Sequence, residues 1–332
     1  MGLHPSVAAV RNAVRRTLAA LEPGSVVLVA CSGGADSLAL LSATVFEGHR
    51  HGLRVVGATV DHGLQPGSDA HAARVVEQMA ALGVDETASA RVRVDGAGLG
   101  PEAAARRARY DVLEQLREHF GAALVLLGHT RDDQAETVLL GLTRGSGGRS
   151  LAGMRRRFDH YARPLLDVSR ADTLAACEAE GIEWWIDPHN SDPAFTRVRV
   201  RQVVLPLLED QLGPGVAEAL ARTADQVRDD VEALDALADA AFERARAAGG
   251  LDLAVLRDEH RAVASRVLRL AAVRAGAIDS ELFHVHVRAL LDLAEGRARG
   301  EVQLPGHVSA VRDGGRLVFR KRGPSPDTDV PS

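Results

Sequence analysis

Residues 25–48 read SVVLVACSGGADSLALLSATVFEG, and this stretch gives the clearest indication of the fold. It begins with a short apolar run rich in valine, which is typical of a strand buried inside a parallel sheet. The turn Cys31-Ser-Gly-Gly34 follows, and a helix is predicted from Ala35 to about Gly48. A strand, a glycine turn and a helix in this order predict the first part of an α/β unit.

Strand and helix continue to alternate up to residue 143. Further strands are predicted at Arg54–Val60, Arg91–Val94 and Ala123–Leu127. The alternation predicts an α/β fold, a parallel sheet with helices on both faces. Ligands of such sheets bind at the carboxyl ends of the strands, and Ser32, Asp61 and His129 each follow a predicted strand.

The length of 332 residues favours two domains. We predict an α/β catalytic domain over residues 1–213, a smaller, mainly helical domain over 214–322 and a disordered tail over 323–332. The second domain is rich in Ala, Leu and Arg at helical spacing. The turn Asp313-Gly-Gly315 predicts a short hairpin at its end.

Composition excludes several classes of protein. Lys321 is the only lysine, which excludes a GxxxxGK[ST] phosphate loop and a lysine Schiff base in the first domain. Cys31 and Cys177 are far apart, which argues against a disulfide scaffold or a cysteine-rich zinc module. No apolar stretch approaches the ~20 residues of a membrane span, and no secretory signal is recognisable. We therefore expect a cytoplasmic protein with no membrane partner.

The turn at residues 32–37, SGGADS, has the chemistry of a phosphate site. Two glycines allow backbone N–H groups to approach a phosphate, and the start of a helix adds partial positive charge. Ser32 and Ser37 add hydroxyl donors, and Asp36 is a candidate Mg²⁺ ligand. The alternative is a tight turn in which Asp36 or Ser37 only caps the helix.

SGGADS resembles the SGGxDS loop of the N-type ATP pyrophosphatases, PP-loop enzymes with a Rossmann-like fold. These enzymes cleave ATP between the α and β phosphates, pass AMP to a substrate oxygen and need no phosphate-loop lysine. The resemblance implies ATP and Mg²⁺ as cofactors, with Asp36 as the metal ligand. It implies these ATP-binding residues: Ser32, Gly33, Gly34, Ala35, Asp36, Ser37, Asp61 and His62.

The second motif is GHTRDDQAET at residues 128–137. The spacing of Asp132, Asp133 and Glu136 places their carboxylates on one face of a helix, where they could bind Mg²⁺ or an ammonium group. The alternative is a capping box from Thr130 to Asp133. Capping alone requires neither His129 nor three acids.

Residues 128–154 resemble the GHTxDDQAET…RGSGxxxLxGM signature of the tRNA(Ile)-lysidine synthases. Three more segments are similar to that family: DHGL at 61–64, EAAARRARY at 102–110, and the run from RPLL at 163–166 to RVRVR at 197–201. His189 and Val198 depart from the family pattern in the last run. The helical domain resembles the smaller C-terminal domain of compact family members only in its mainly helical character.

The resemblance implies a ligase that joins free L-lysine to C2 of the wobble cytidine of tRNA(Ile) with a CAU anticodon. The cytidine is first adenylated by ATP, and lysine then displaces AMP. The implied catalytic residues are Asp36, Arg109, His129, Asp133 and Glu136. Either His129 or a carboxylate could be the base that deprotonates lysine.

Arginine is concentrated between residues 141 and 163, where six arginines and one aspartate give a local net charge of +5. Arginine binds phosphate through two hydrogen bonds at once. We predict that tRNA is bound by Arg144, Arg149, Arg155, Arg157, Arg197 and Arg201. The alternative is a solvated surface of an arginine-rich chain whose formal net charge is −5. A homodimer is compatible with the sequence.

Two other functions stay open. A related PP-loop tRNA thiolase usually needs paired cysteines, which this chain lacks. A non-catalytic RNA-binding protein would have little reason to keep Ser32, Asp36, Asp133 and Glu136 together.

Overall fold

The computed structural model describes residues 2–61, 67–92, 101–144, 147–186, 192–247 and 249–321. These residues form two compact units. The larger unit comprises Met1–Thr143 and Leu151–Asp225, and the smaller comprises Arg144–Ser150 and Gln226–Ser332. The smaller unit thus takes in a short segment that the sequence alone assigns to the first domain. The predicted tail at 323–332 lies outside the described residues.

A six-stranded sheet forms the centre of the larger unit, with the strand order β3-β2-β1-β4-β6-β5. Its strands are β1 Val26–Ala30, β2 Arg54–Asp61, β3 Glu86–Arg91, β4 Ala122–Leu127, β5 Arg157–Phe158 and β6 Tyr161–Ala162. The first four strands and β6 run parallel, and β5 is antiparallel to β6. The predicted mainly parallel sheet is confirmed.

Helices cover both faces of this sheet. They are α1 Pro5–Leu18, α2 Ala35–Arg50, α3 Ser68–Ala81, α4 Pro101–Phe120, α5 Arg131–Arg144 and α7 Arg170–Glu180. The short helix α6 Gly148–Leu151 belongs mostly to the smaller unit. Strand β1 shows how the two faces arise, because successive side chains of a strand point in opposite directions. Val27 and Val29 enter a core with α1, α2 and α7, whereas Val26 and Leu28 enter a second core against α4.

The predicted position of the third strand, Arg91–Val94, is wrong. The third strand, β3, lies at Glu86–Arg91. Its sequence, ETASAR, has no large apolar residue, and its side chains are half-buried or exposed at the edge of the sheet. An edge strand of this kind gives no apolar signal. Asp85 marks its start instead, since its Oδ2 accepts a hydrogen bond of 2.7 Å from the backbone N–H of Val55 in β2.

The chain of the larger unit ends in a nearly continuous helical run. It consists of α8 Thr196–Arg199, a π-helical turn Val200–Val204 and α9 Leu205–Leu212. The long helix α10 Val216–Ala245 follows. Within the described ranges, no helix has both the length and the apolar character needed to cross a membrane.

The smaller unit packs helices against a second sheet. Its helices are α11 Leu253–Asp258, α12 Arg261–Arg274 and α13 His284–Ala294. The sheet has the order β7-β8-β11-β10-β9 and consists of β7 Arg246–Ala247, β8 Gly250–Asp252, β9 Glu301–Leu304, β10 Val308–Asp313 and β11 Arg316–Lys321. The predicted hairpin is confirmed as β10–β11, and three more strands extend it. Gly250 allows β8 to pair with β11, because a Cβ at this position would overlap the carbonyl oxygen of Leu317.

We expect Leu126→Ala to destabilise the larger unit by about 2–5 kcal/mol, since it leaves a cavity in the core beneath the sheet. Leu126 is fully buried in β4, whereas Leu142 in α5 is 54% exposed. Leu142→Ala is the matched control, with a loss below about 0.5 kcal/mol. Urea unfolding measures both, and equal losses would contradict this description of the core.

Candidate active site

The loop at residues 32–37 joins β1 to α2 at the carboxyl edge of the sheet. Gly33 has φ +81°, and a Cβ there would lie 2.7 Å from Cγ2 of Val75 in α3. Both its left-handed backbone and this close approach therefore require glycine. Gly34 is the N-cap of α2 and provides no side-chain cap. The N–H groups of the first helical turn therefore remain suited to an anion.

Hydrogen bonds fix the shape of this loop from within. The Ser37 hydroxyl accepts from the backbone N–H of Ser32 at 3.1 Å and donates to the carbonyl of Gly34 at 2.8 Å. Gly128, at the end of β4, passes close behind the loop, because a Cβ there would lie 3.1 Å from the Cα of Ser37. The loop is thus held against the neighbouring strand end before any ligand binds.

Two aromatic residues, His71 through its ring and Trp185 through its backbone, hold the loop from outside. The Nε2–H of His71 in α3 donates to the carbonyl of Ser32 at 3.0 Å, and the backbone N–H of Trp185 donates to the carbonyl of Gly33 at 2.9 Å. The two rings lie against each other with centroids 4.0 Å apart. The carbonyls of the loop are therefore bound by its neighbours.

A cluster of carboxylates surrounds the side chain of Arg170, at the start of α7. Its Nη2 lies 2.7 Å from Asp133, its Nε 3.4 Å from Asp36, and its Nη1 3.5 Å from Glu136. Asp36 belongs to the loop, whereas Asp133 and Glu136 belong to α5. Arg170 therefore connects the predicted phosphate loop to the predicted ammonium site.

Arg201 binds the same carboxylates from the π-helical turn. Its Nε lies 2.6 Å from Glu136, and its Nη2 lies 3.2 Å from Asp133. Glu136 is completely buried and Asp133 is 8% exposed. Buried carboxylates need cationic partners to stay charged, and two guanidinium groups meet that need.

Neutral donors complete the cluster. The hydroxyl of Thr173, one turn after Arg170, donates to Oδ1 of Asp36. Thr130 donates to Asp133 through its backbone N–H at 2.8 Å and its hydroxyl at 3.0 Å. This is the predicted capping contact, so Asp133 both caps α5 and binds the arginines. Asp132 accepts from the backbone N–H of Arg170 at 2.8 Å and so attaches α5 to α7.

The acids of the cluster differ in their proton affinity. Burial raises the pKa of Asp36, although Arg170 and Thr173 offset part of the effect. Burial also raises the pKa of Asp133, but Arg170 and the N–H of Thr130 outweigh it, so that this pKa lies below its ordinary value. Burial lowers the pKa of Arg170, but the neighbouring carboxylates raise it by more than burial lowers it. The pKa therefore lies above its ordinary value, and Arg170 stays charged.

His129 follows β4 and is held by Arg163, whose side chain is buried. The Nε of Arg163 donates to Nδ1 of His129 at 3.3 Å, and its other nitrogens donate to the carbonyl of Arg155 and the hydroxyl of Tyr110. Nδ1 is therefore an acceptor, which places the single ring proton on Nε2. Burial, assisted by the charge of Arg163, lowers the pKa of His129 to about 4.

Two family models match the chain. Residues 8–208 match the PP-loop domain, and residues 251–318 match the TilS substrate binding domain. The tRNA(Ile)-lysidine synthase of Streptomyces coelicolor is 51% identical over 97% of this chain and 100% of that protein. That of Thermobifida fusca is 53% identical over 96% of this chain and 98% of that protein.

The chain belongs to the tRNA(Ile)-lysidine synthase family. The resemblance seen in the sequence motifs is thereby confirmed, as is the PP-loop fold. A solved U34-tRNA thiolase, NcsA from Methanococcus maripaludis, has the same fold with a TM-score of 0.56 and 16% identity, covering 67% of this chain and 79% of that chain.

The structure brings together most of the residues predicted for catalysis by the synthase family motifs. They are Asp36, His129, Asp133 and Glu136. Arg109 lies exposed on α4, and its charge contributes to the lowered pKa of His129. Asp61 lies at the end of β2, where its Oδ2 is 3.3 Å from Nε of Arg91. His62 lies outside the described residues.

The arginines predicted to bind tRNA have different surroundings. Arg155 and Arg157 are exposed near β5, and Arg197 lies in α8. Arg149 forms an ion pair of 2.8 Å with Asp235 in the smaller unit. Arg201 faces the carboxylate cluster. The side chain of Arg144 lies outside the described part of the chain.

Sequence reasoning missed Arg170 and Thr173. One signal was available. An arginine at the first position of a helix lies at the positive end of the helix dipole, where a cation is unfavourable. Such a placement indicates that nearby carboxylates compensate for it.

Asp36 is the residue whose surroundings fit the implied metal ion. Among the residues that the structure describes, no group of three or more His, Cys, Asp or Glu side chains is arranged to hold a metal ion. A carboxylate has about four lone-pair positions, and Thr173 and Arg170 each use one oxygen of Asp36. One carboxylate with open positions suits Mg²⁺, which is usually bound by one or two protein carboxylates together with phosphates.

Replacing Arg170 tests the cluster. We expect Arg170→Gln to cost about 3 kcal/mol of unfolding free energy, since it leaves buried carboxylates with one cation fewer. Arg54→Gln is the matched control, because Arg54 forms an exposed pair with Glu86 and should cost less than about 1 kcal/mol. Equal losses in urea unfolding would contradict the description of Arg170.

His129 should make stability depend on pH. Its pKa is about 4 when folded and 6.5 ordinarily, so between these values the unfolded chain binds the proton and the folded chain does not. The contribution of neutral His129 to the free energy of unfolding is therefore complete above pH 6.5 and is lost as the pH falls towards 4. Between pH 7.5 and 5, wild type should lose up to about 2 kcal/mol more than His129→Gln in urea unfolding. Identical pH profiles would refute this.

Proposed function

We propose that this chain joins free L-lysine to C2 of the wobble cytidine of tRNA(Ile) with a CAU anticodon, and that it consumes ATP. One observation supports this most directly. A single guanidinium, that of Arg170, lies against an acid of the phosphate loop and against two acids of the neighbouring helix. The proposed site for activation by ATP and the proposed site for the lysine ammonium group would therefore be side by side. These substrates place the reaction in the cytoplasm.

In the first step, the C2 oxygen of cytidine attacks the α-phosphate of ATP, and pyrophosphate leaves. The N–H groups at the start of α2 and the hydroxyl of Ser32 would bind the phosphates, whereas the Ser37 hydroxyl donates to the carbonyl of Gly34 and supports the loop. Asp36 would hold Mg²⁺, which neutralises phosphate charge when it is bound. Arg109 would approach the transferring phosphate. The cytidine must leave its stack, which an unpaired anticodon loop permits.

In the second step, the ε-amine of lysine attacks C2 and AMP leaves. Asp133 and Glu136 would bind the ammonium group, sharing lone pairs with the two arginines. The amine must lose a proton before it can attack. His129 is poorly suited to accept it, since its Nδ1 already accepts from Arg163 and its Nε2 carries a hydrogen. A carboxylate of the cluster is therefore the better candidate for the base.

Thiolation is disfavoured by the state of both cysteines. The thiol of Cys177 is buried and donates to the carbonyl of Ala35 at 3.4 Å, and burial raises its pKa to about 12. Burial likewise raises the pKa of Cys31. Sulfur chemistry requires a thiolate, which these surroundings oppose.

One assay separates the candidate functions. Purified protein is incubated with radiolabelled lysine, ATP, Mg²⁺ and tRNA carrying cytidine at position 34. Lysine recovered covalently in the RNA supports the proposal, and the same tRNA with uridine at position 34 is the control. Sulfur incorporation instead would support a thiolase. RNA binding without any incorporation would support a non-catalytic protein.

Two variants should separate the two steps. Asp36→Ala should lower tRNA-dependent pyrophosphate release by at least ~100-fold, since it removes the metal ligand and a loop acid. Glu136→Gln should keep most pyrophosphate release but raise the KM for lysine by at least ~10-fold, since it weakens ammonium binding. Normal pyrophosphate release by Asp36→Ala, or a normal lysine KM for Glu136→Gln, would contradict these roles.

A further inference from the structure

A cleft of about 460 Å³ lies between α1 and the segment from β5 to Asp167 in the larger unit. Its charged lining residues are Arg16, Arg156, Arg157, Arg163 and Asp167. The remaining lining comes mainly from Ala13, Ala20, Ala162 and Pro164. This cleft is distinct from the phosphate loop and the carboxylate cluster. It adjoins the candidate active site only through Arg163, which also contacts His129.

Two of the four arginines that line the cleft already have hydrogen-bond partners within the protein. Arg156 binds Asp167 with two hydrogen bonds of 2.7 Å and Asp225 with one of 2.6 Å. Arg163 is 5% exposed and donates to His129, to a backbone carbonyl and to Tyr110. These two side chains therefore form a fixed wall of the cleft.

Arg16 and Arg157 are the cations that the cleft presents to solvent. Both are exposed, and among the described residues no carboxylate lies within ion-pair distance of either. The contrast along α1 is informative. Arg11 pairs with Glu180 at 2.6 Å and Arg15 pairs with Glu47 at 2.7 Å, whereas Arg16 turns into the cleft.

The shape and chemistry of the cleft favour one class of ligand. Two exposed guanidinium groups that line one concave surface suit the oxygens of a phosphodiester. The small apolar residues of the lining leave room for a ribose. The lining contains no aromatic residue on which a base could stack. The contact would therefore be made to the backbone of a nucleic acid, without reading its sequence.

We propose that this cleft binds a backbone phosphate of the substrate tRNA through Arg16 and Arg157, an inference that rests on the proposed function. It extends the predicted RNA surface from the arginines near β5 to α1, a helix to which the sequence assigned no role. Because Arg163 belongs to both places, an RNA strand in the cleft passes next to the reaction site.

The test compares Arg16→Gln, Arg157→Gln and the double variant with Arg50→Gln. Arg50 is exposed at the end of α2, outside the cleft lining, so it controls for the loss of one charge. Binding of cytidine-34 tRNA is measured by fluorescence anisotropy between 50 and 300 mM KCl. Lysine transfer by wild type is measured in parallel, and the melting temperature of each variant confirms folding.

We expect each cleft variant to weaken tRNA binding and the double variant to weaken it by ~10–100-fold at the lowest salt. Because both arginines bind the same phosphate, the double variant loses one phosphate contact, which should reduce the slope of log Kd against log salt by about 0.7–0.9. Arg50→Gln should behave as wild type. If the double variant binds tRNA with the wild-type affinity and salt slope while wild type still transfers lysine, the proposal for the cleft is wrong and the proposed function is unaffected. Absence of lysine transfer in wild type would overturn the proposed function itself.

Discussion

The guanidinium of Arg170 compensates the negative charge of three acids that come from two different helices. Without it, Asp36 of α2 and the pair Asp133 and Glu136 of α5 would repel each other at the carboxyl edge of the sheet. Burial makes such repulsion costly, because little water remains to screen it. The arrangement explains how loop and acids can be preassembled in the free protein. An ammonium group bound there, as proposed, would have to share its acceptors with the two arginines already present.

The sheet defines where this assembly forms. β1 and β4 are neighbours, so the loop after β1 and the turn after β4 meet at one edge. Gly128 allows the two backbone segments to approach closely there, since a Cβ would lie 3.1 Å from the Cα of Ser37, and Gly33 allows the loop to lie against α3, since a Cβ would lie 2.7 Å from Cγ2 of Val75. Helix α7 then closes the site with a cation at its first turn. Fold and chemistry are thus connected through a few close backbone contacts.

Much of this was predictable from the sequence, and the failures have physical causes. β1, α2 and α5 were predictable because apolar runs and helical spacing mark them directly. β3 was misplaced because ETASAR is an edge strand with little to bury. Arg170 was missed because its importance lies in contacts with residues 34 to 134 positions away in sequence, which no local pattern records. Arg201 could be recognised as an arginine of a motif, but only the structure shows that it faces the acids.

The contact between His71 and Trp185 has a practical consequence. The chain has only two tryptophans, Trp184 and Trp185, and the ring of Trp185 lies tilted against an imidazole that is hydrogen-bonded to the loop after β1. Replacing Trp184 with phenylalanine would leave a single indole whose emission responds to its imidazole neighbour. Such a protein would report optically, without any added dye, on movement of the loop that follows β1.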